Sequence, residues 1–135
     1  MTDAVTTRRE GAAMVVTIDR ESRRNALNES VAAAIVAALD AAEADTAVRA
    51  VVLTGAGDKA FCAGGDLKPG ADGTPFTIEA ADPRHYVSRL LRRMDACRLP
   101  IVARVNGHAL AGGFGLVCAC DLVVAREDAL MGVTE

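Results

Sequence analysis

Hydrophobic and polar positions along this chain follow two different periods. Met14 to Ile18 (MVVTI) and Val48 to Thr54 (VRAVVLT) are rich in β-branched residues, the second run ending at a glycine, and both predict strands. Between them, in NESVAAAIVAALDAAEAD, the residues Val31, Ile35, Ala38, Leu39 and Ala42 recur at helical spacing, so one apolar stripe should face a sheet. Asn28 offers a side-chain oxygen to the first unpaired amides of that helix, and Glu29 sets negative charge at its positive end. A second helix is expected from His85 to Arg98. It should bury Tyr86, Leu90, Met94 and Cys97, present Arg89, Arg92 and Arg93 to water, and end before Pro100. Ile101 to Val105 and Leu122 to Ala125 read as further strands, separated by a glycine-rich turn, NGHALAGGFG, and a short apolar helix, LVCAC. From Lys68 to Arg84, KPGADGTPFTIEAADPR concentrates Gly, Pro and Asp without periodicity, as a surface loop or lid would. Strands alternating with helices predict an α/β fold of parallel strands covered by helices. Neither an internal repeat nor a linker divides residues 1–135, so a single domain is expected.

Composition narrows the function classes. The chain is 51% hydrophobic and 24% charged with a formal net charge of −3, ordinary values for a globular protein. A mildly acidic balance and 3% aromatic residues supply neither the basic footprint nor the stacking platforms of a nucleic-acid binder. No apolar run approaches the length that spans a bilayer and MTDAVTTRREG does not resemble a secretory signal, so a cytoplasmic protein without membrane contact is expected. Cys62, Cys97, Cys118 and Cys120 lack the spacing of a zinc site and the density of a disulfide scaffold, and are read as reduced thiols without a metal.

Three glycine clusters carry the chemical information. Gly55-Ala56-Gly57-Asp58-Lys59-Ala60 follows a strand and spells G-x-G-x-x-A, but no long helix opens inside it to receive a pyrophosphate, and a structural turn is the better reading. Phe61-Cys62-Ala63-Gly64-Gly65 reads as another turn. No G-x-x-x-x-G-K-[ST] phosphate loop and no G-x-S-x-G nucleophile elbow is present. The other clusters are FCAGGDLK, from Phe61 to Lys68, and NGHALAGGFGLVCACDLVVA, from Asn106 to Ala125. Together with RRNALN (Arg23 to Asn28) and VRAVVLTGAG, these segments resemble the crotonase, or enoyl-CoA hydratase/isomerase, family in order, content and spacing.

The resemblance implies a crotonase-like spiral of ββα units, here without the later C-terminal helices, and an acyl-CoA thioester as substrate. CoA is then part of the substrate and no separate cofactor is needed. It implies that the backbone N–H groups of Gly65 and Gly112 stabilise the enolate formed from the thioester. Such donors must approach the carbonyl oxygen closely, which glycine permits, and the second would stand at a helix N-terminus. By the same resemblance Arg24, Ala26, Ala63, Gly64, Gly65, Asp66, Leu67, Lys68 and Gly112 border the substrate, and a homotrimer or hexamer is the expected assembly. Two departures stand out. Gly115 occupies the position where hydratases of this family carry one of two catalytic glutamates, and MGVTE, ending at Glu135, meets the second with Thr134 in place of the usual proline. A single carboxylate suits proton transfer between two carbons, hence isomerisation, while hydration stays open. A non-catalytic acyl-CoA-binding or assembly subunit is the alternative. His108 and Asp66 are expected to act in turns and not in proton transfer.

Overall fold

The computed structural model describes residues 4–65 and 85–134. Its eight strands are β1 (Val5–Glu10), β2 (Ala13–Ile18), β3 (Ala50–Gly55), β4 (Ala60–Cys62), β5 (Ile101–Val105), β6 (His108–Leu110), β7 (Leu122–Ala125) and β8 (Met131–Gly132). The helices are α1 (Glu29–Ala44), α2 (Tyr86–Asp95) and α3 (Gly112–Cys118). Five strands form one sheet in the order β1-β2-β3-β5-β7, and three short ones form a second in the order β4-β6-β8. All pairings are parallel except β1 with β2, an antiparallel hairpin closed at Gly11, whose φ of 60° suits a residue without a Cβ.

The chain winds as a spiral. The first turn runs from β2 through an isolated bridge between Leu27 and Gly65 to α1; the later ones lay one strand on the large sheet and one on the small sheet, β3 and β4 before α2, β5 and β6 before α3, then β7 and β8. This is the spiral of ββα units that the sequence resemblance implied. The small sheet was hidden from sequence. Residues read as plain turns, Ala60–Cys62 and His108–Leu110, are strands three residues long, too short to display a period. The all-parallel expectation fails only at β1, and α3 starts at Gly112, earlier than the apolar run LVCAC placed it.

The core lies between the large sheet and α1 and α2. Val16 and Ile18 of β2, Val51 and Leu53 of β3, and Ile101, Ala103 and Val105 of β5 face Val31, Ile35, Leu39, Leu90 and Met94. The α1 stripe is buried as its spacing required, and Asn28 Oδ1 accepts from Val31 N at 2.8 Å. Phe61, the largest fully buried side chain, is worth roughly 1.5–3 kcal/mol by removal from water alone. In α2, Leu90 and Met94 are buried and Tyr86 is only half-buried; the helix ends at Asp95, short of the expected Arg98, and leaves Cys97 half-buried beyond it. Arg93 corrects the expected wet face: it reaches across to α1, donating to Asp40 Oδ1 at 2.9 Å and Glu43 Oε1 at 3.2 Å. Glu43 also accepts from Arg98 N, and that backbone bond, with Arg93 beside it, lowers its carboxyl from 4.5 to about 2.

Candidate functional site

The turn from β3 to β4, the G-x-G-x-x-A segment, is held by two buried asparagines. Asn25 sits in a left-handed conformation, with φ 56°, that asparagine tolerates better than most residues. Its Oδ1 accepts from Arg20 N at 2.9 Å, and its Nδ2 donates to Ala56 O and Ala60 O at 3.0 and 2.8 Å. From the opposite side, Asn106 Oδ1 accepts from Gly55 N at 3.0 Å while Nδ2 donates to Gly57 O and Ala60 O at 3.0 and 3.1 Å. Both amides therefore use donors and acceptor together, as buried polar groups must. Neither clamp was singled out from sequence, although both asparagines stand in the motifs RRNALN and VNGHAL; their role depends on contacts across more than thirty residues.

That clamp sends β4 toward α3 and brings the predicted substrate-bordering residues side by side. Ala63 N donates to Arg24 O at 3.0 Å and Leu27 N to Gly64 O at 2.7 Å, so residues 24–27 run alongside 63–65. Ala26 is buried between them, its carbonyl accepting from Arg20. Gly64, at φ 108°, packs so closely on the start of α3 that an added Cβ would lie 3.1 Å from Ala111 Cβ and 3.2 Å from Leu110 O. Gly113 is equally constrained, since its Cβ would fall 2.0 Å from Cys62 O. Gly112 is different. A Cβ there would meet only ordinary contacts, 3.7 Å to Leu27 Cδ1 and 3.9 Å to Gly65 N, so packing does not demand glycine. The absence of a side chain leaves open the space beside the Gly65 amide. Among the described residues, no backbone carbonyl accepts from Gly65 or Gly112, and Gly112 is the first residue of α3, where helix amides are unpaired.

Asp66, Leu67, Lys68 and Glu135 lie outside the described residues. Gly115 is on α3 with nothing within 4 Å of an added Cβ, so a larger side chain would fit where the sequence has none. His108 takes the structural role expected of it, its Nδ1 accepting from Leu130 N at 3.1 Å. Cys62, beneath the two loops, is fully buried, and burial pushes its thiol up to about 11, which makes it inert packing rather than a nucleophile. Arg24 points elsewhere than the glycines, into an open groove of 230 Å³ shared with Lys59, His108 and Arg126.

A family model described as enoyl-CoA hydratase/isomerase matches residues 8–135. The chain belongs to the enoyl-CoA hydratase/isomerase family. A relative of this family in Thermus thermophilus is 48% identical over 128 residues, covering 93% of this chain and 50% of its own. The short-chain-enoyl-CoA hydratase of Clostridium acetobutylicum is 36% identical, covering 94% and 48%. The crystal structure of enoyl-CoA hydratase from Bacillus anthracis superimposes with a TM-score of 0.83 at 31% identity, over 97% of this chain and 50% of that one. The chain thus spans about half the length of the curated relatives it matches. It has the hydratase/isomerase spiral, and among the described residues no helix is long and apolar enough to cross a membrane.

Proposed function

We propose that Gly65 and Gly112 form a backbone oxyanion hole for an acyl-CoA thioester, and that the whole protein is an enoyl-CoA hydratase or isomerase. The observation that carries this reading is the uncrowded glycine at 112: its neighbours would accept a side chain, yet none is there, and the space it leaves lies against a second amide without a described carbonyl partner. Two N–H donors aimed at one point oppose the negative charge that gathers on a thioester oxygen as its α-carbon becomes carbanionic, and a single such donor contributes about 10²–10³ in rate. The segment of residues 24–27 beside the glycines, together with Asp66, Leu67 and Lys68, borders the CoA portion. CoA enters as substrate, and no resident cofactor is required.

Proton transfer is assigned to Glu135. With glycine at 115, one carboxylate removes a proton from one substrate carbon and returns it to another in isomerisation, or activates water and protonates the α-carbon in hydration. A homotrimer or hexamer and a cytoplasmic setting complete the proposal. A binding or assembly subunit without turnover is the second reading, favoured by the open position at Gly115, where a glutamate would fit and is missing.

Acetoacetyl-CoA separates the oxyanion hole from the acid–base chemistry, because its enolate absorbs in the ultraviolet without any catalytic step. Bound to this chain, it should show a lowered enolisation pKa. Gly65→Pro and Gly112→Pro, which delete the two N–H groups, should abolish that shift while far-ultraviolet circular dichroism stays native; proline is ordinarily accepted at the first residue of a helix. An unchanged shift in both folded variants removes the oxyanion reading. Hydration of a short 2-enoyl-CoA, or double-bond migration in a short 3-enoyl-CoA, then decides between enzyme and binding subunit.

A further inference from the structure

His108, the first residue of β6, is bonded on both sides of its strand. Its backbone N–H donates to Lys59 O at 3.1 Å, at the start of β4, and its ring Nδ1 accepts from Leu130 N at 3.1 Å, one residue before β8. Farther along, the backbone continues the pairing: Ala109 N donates to Leu130 O and Ala111 N to Gly132 O, both at 2.9 Å. β8 is two residues long, so the imidazole bond is a substantial part of what holds it.

That bond requires one state of the ring. A nitrogen that accepts from an amide carries no proton, which assigns the neutral imidazole with its hydrogen on Nε2. A second proton would go to Nδ1 and set a donor against the Leu130 donor. The charged groups that share the groove with His108 are Arg24 from the first turn, Asp58 and Lys59 from the turn before β4, and Arg126 and Asp128 from the turn before β8. Arg126 donates to Asp58 O and Asn106 O and pairs with Asp128 at 2.9 Å. Those contacts fasten the turn before β8 without using the imidazole.

The two strands lead to the two halves of the proposed chemistry. β6 runs through Ala111 into Gly112, and Glu135 follows β8 after two residues, Val133 and Thr134. Three steps of extended chain reach at most about 11 Å. The pairing of β6 with β8 therefore bounds how far the carboxylate can stand from the Gly112 amide, and a general base is effective only from a fixed position.

We infer that His108 is a positioning residue: its neutral imidazole holds β8 against β6 and thereby keeps Glu135 within working distance of the Gly112 N–H, and protonation of the ring releases it. The inference rests on the roles proposed above for Gly112 and Glu135. Histidine is the side chain that ordinarily changes charge between about pH 5 and 8, so acid should slow proton transfer. Thioester binding should not weaken with it, because residues 24–27 are bonded to 63–65 and not to β8.

The test follows α-proton exchange of butyryl-CoA in D2O with the 135-residue chain. The α-proton passes to the carboxylate, the enolate is held by the two amides, and a deuteron drawn from solvent returns to the same carbon. Two substitutions separate the acceptor from the charge. His108→Asn keeps an oxygen near the position of Nδ1 and does not titrate; His108→Leu keeps neither nitrogen. Relative to His108→Asn, which cancels any titration of Glu135 itself, the parent should lose about fivefold in kcat for exchange and in amide protection at Leu130 between about pH 8 and pH 5, the factor for one net hydrogen bond, with KM unchanged. His108→Leu should show the loss at both pH values while far-ultraviolet circular dichroism stays native. Should His108→Leu fail to fold, the comparison of the parent with His108→Asn decides alone. A parent-to-Asn ratio that ignores pH, or Leu130 protection equal in the parent and a folded His108→Leu, would overturn the inference. A parent that lowers the enolisation pKa of acetoacetyl-CoA but exchanges no α-proton refutes Glu135 as the base and takes this role of His108 with it; no lowering at all refutes the oxyanion hole first.

Discussion

Replacing Asn106 with leucine tests whether the loop reaching the glycines is held by its side-chain amide. Leucine approximates the shape but neither accepts nor donates. Gly55 N–H is buried and loses its acceptor, which costs about 1–3 kcal/mol, and the bonds to Gly57 O and Ala60 O add about 0.5–1 kcal/mol each. Ala60 O keeps its bond from Asn25 at 2.8 Å, and Gly57 is exposed enough to find water, so these two losses stay at the low end. The sum is roughly 2–4 kcal/mol, a large share of the total stability of a domain this size. Urea unfolding followed by far-ultraviolet circular dichroism should therefore show a much lower midpoint at an unchanged slope. Asn106→Asp sharpens the test. It retains an acceptor for Gly55 N–H but turns a carboxylate toward two carbonyl oxygens, so its ionised form is disfavoured and its folded pKa lies above the unfolded value. Its neutral form can donate, so the defect should be small below the unfolded carboxyl pKa and should grow as pH rises through the folded one. If Asn106→Leu falls within about 0.5 kcal/mol of the parent, or the Asn106→Asp defect ignores pH, the clamp is not what holds the turn.

Two further perturbations separate packing from helix propensity and charge from burial. Gly113→Ala places a Cβ 2.0 Å from Cys62 O and must displace backbone, so a loss of about 3 kcal/mol is expected, whereas Gly115→Ala on the same helix meets nothing within 4 Å and should gain about 0.5–1 kcal/mol; equal thermal midpoints for the two would contradict the geometry. Because the folded pKa of Glu43 is depressed to about 2 from 4.5, its contribution is present above pH 4.5 and lost as pH falls toward 2, so the stability difference between the parent and Glu43→Gln should close over that window; a gap that persists at pH 2 would rule the pairing out.

Much of the large sheet was legible because its strands and α1 are long enough to show a period. Ile101–Val105 and Leu122–Ala125 match their apolar runs residue for residue, and the six buried positions of α1 include every residue of the predicted stripe. β1 was illegible for a physical reason: Thr6 to Glu10 are exposed on both faces, and only pairing with β2 makes them a strand. The role of Arg93 was equally hidden, since three arginines on one short helix look alike until the position of α1 is known. At the site, glycine spelling marked each loop, but the distinction between Gly113, fixed by crowding, and Gly112, left open, exists only in three dimensions.

Leu27 gives the molecule room to change. The described chain leaves at Gly65, in a bridge beside Leu27, and re-enters at α2, where Tyr86 Oη donates to Leu27 O at 3.4 Å. Both ends of the intervening segment are thus anchored at a single residue of the first turn, and neither anchor depends on how much chain lies between them. For a flexible linker joining those two anchors, each doubling of its length would cost only about 0.6 kcal/mol more to close. Leu27 thus fixes from one point where β4 ends and where α2 begins, so the first turn of the spiral sets the spacing between two later elements that do not follow one another directly in the chain.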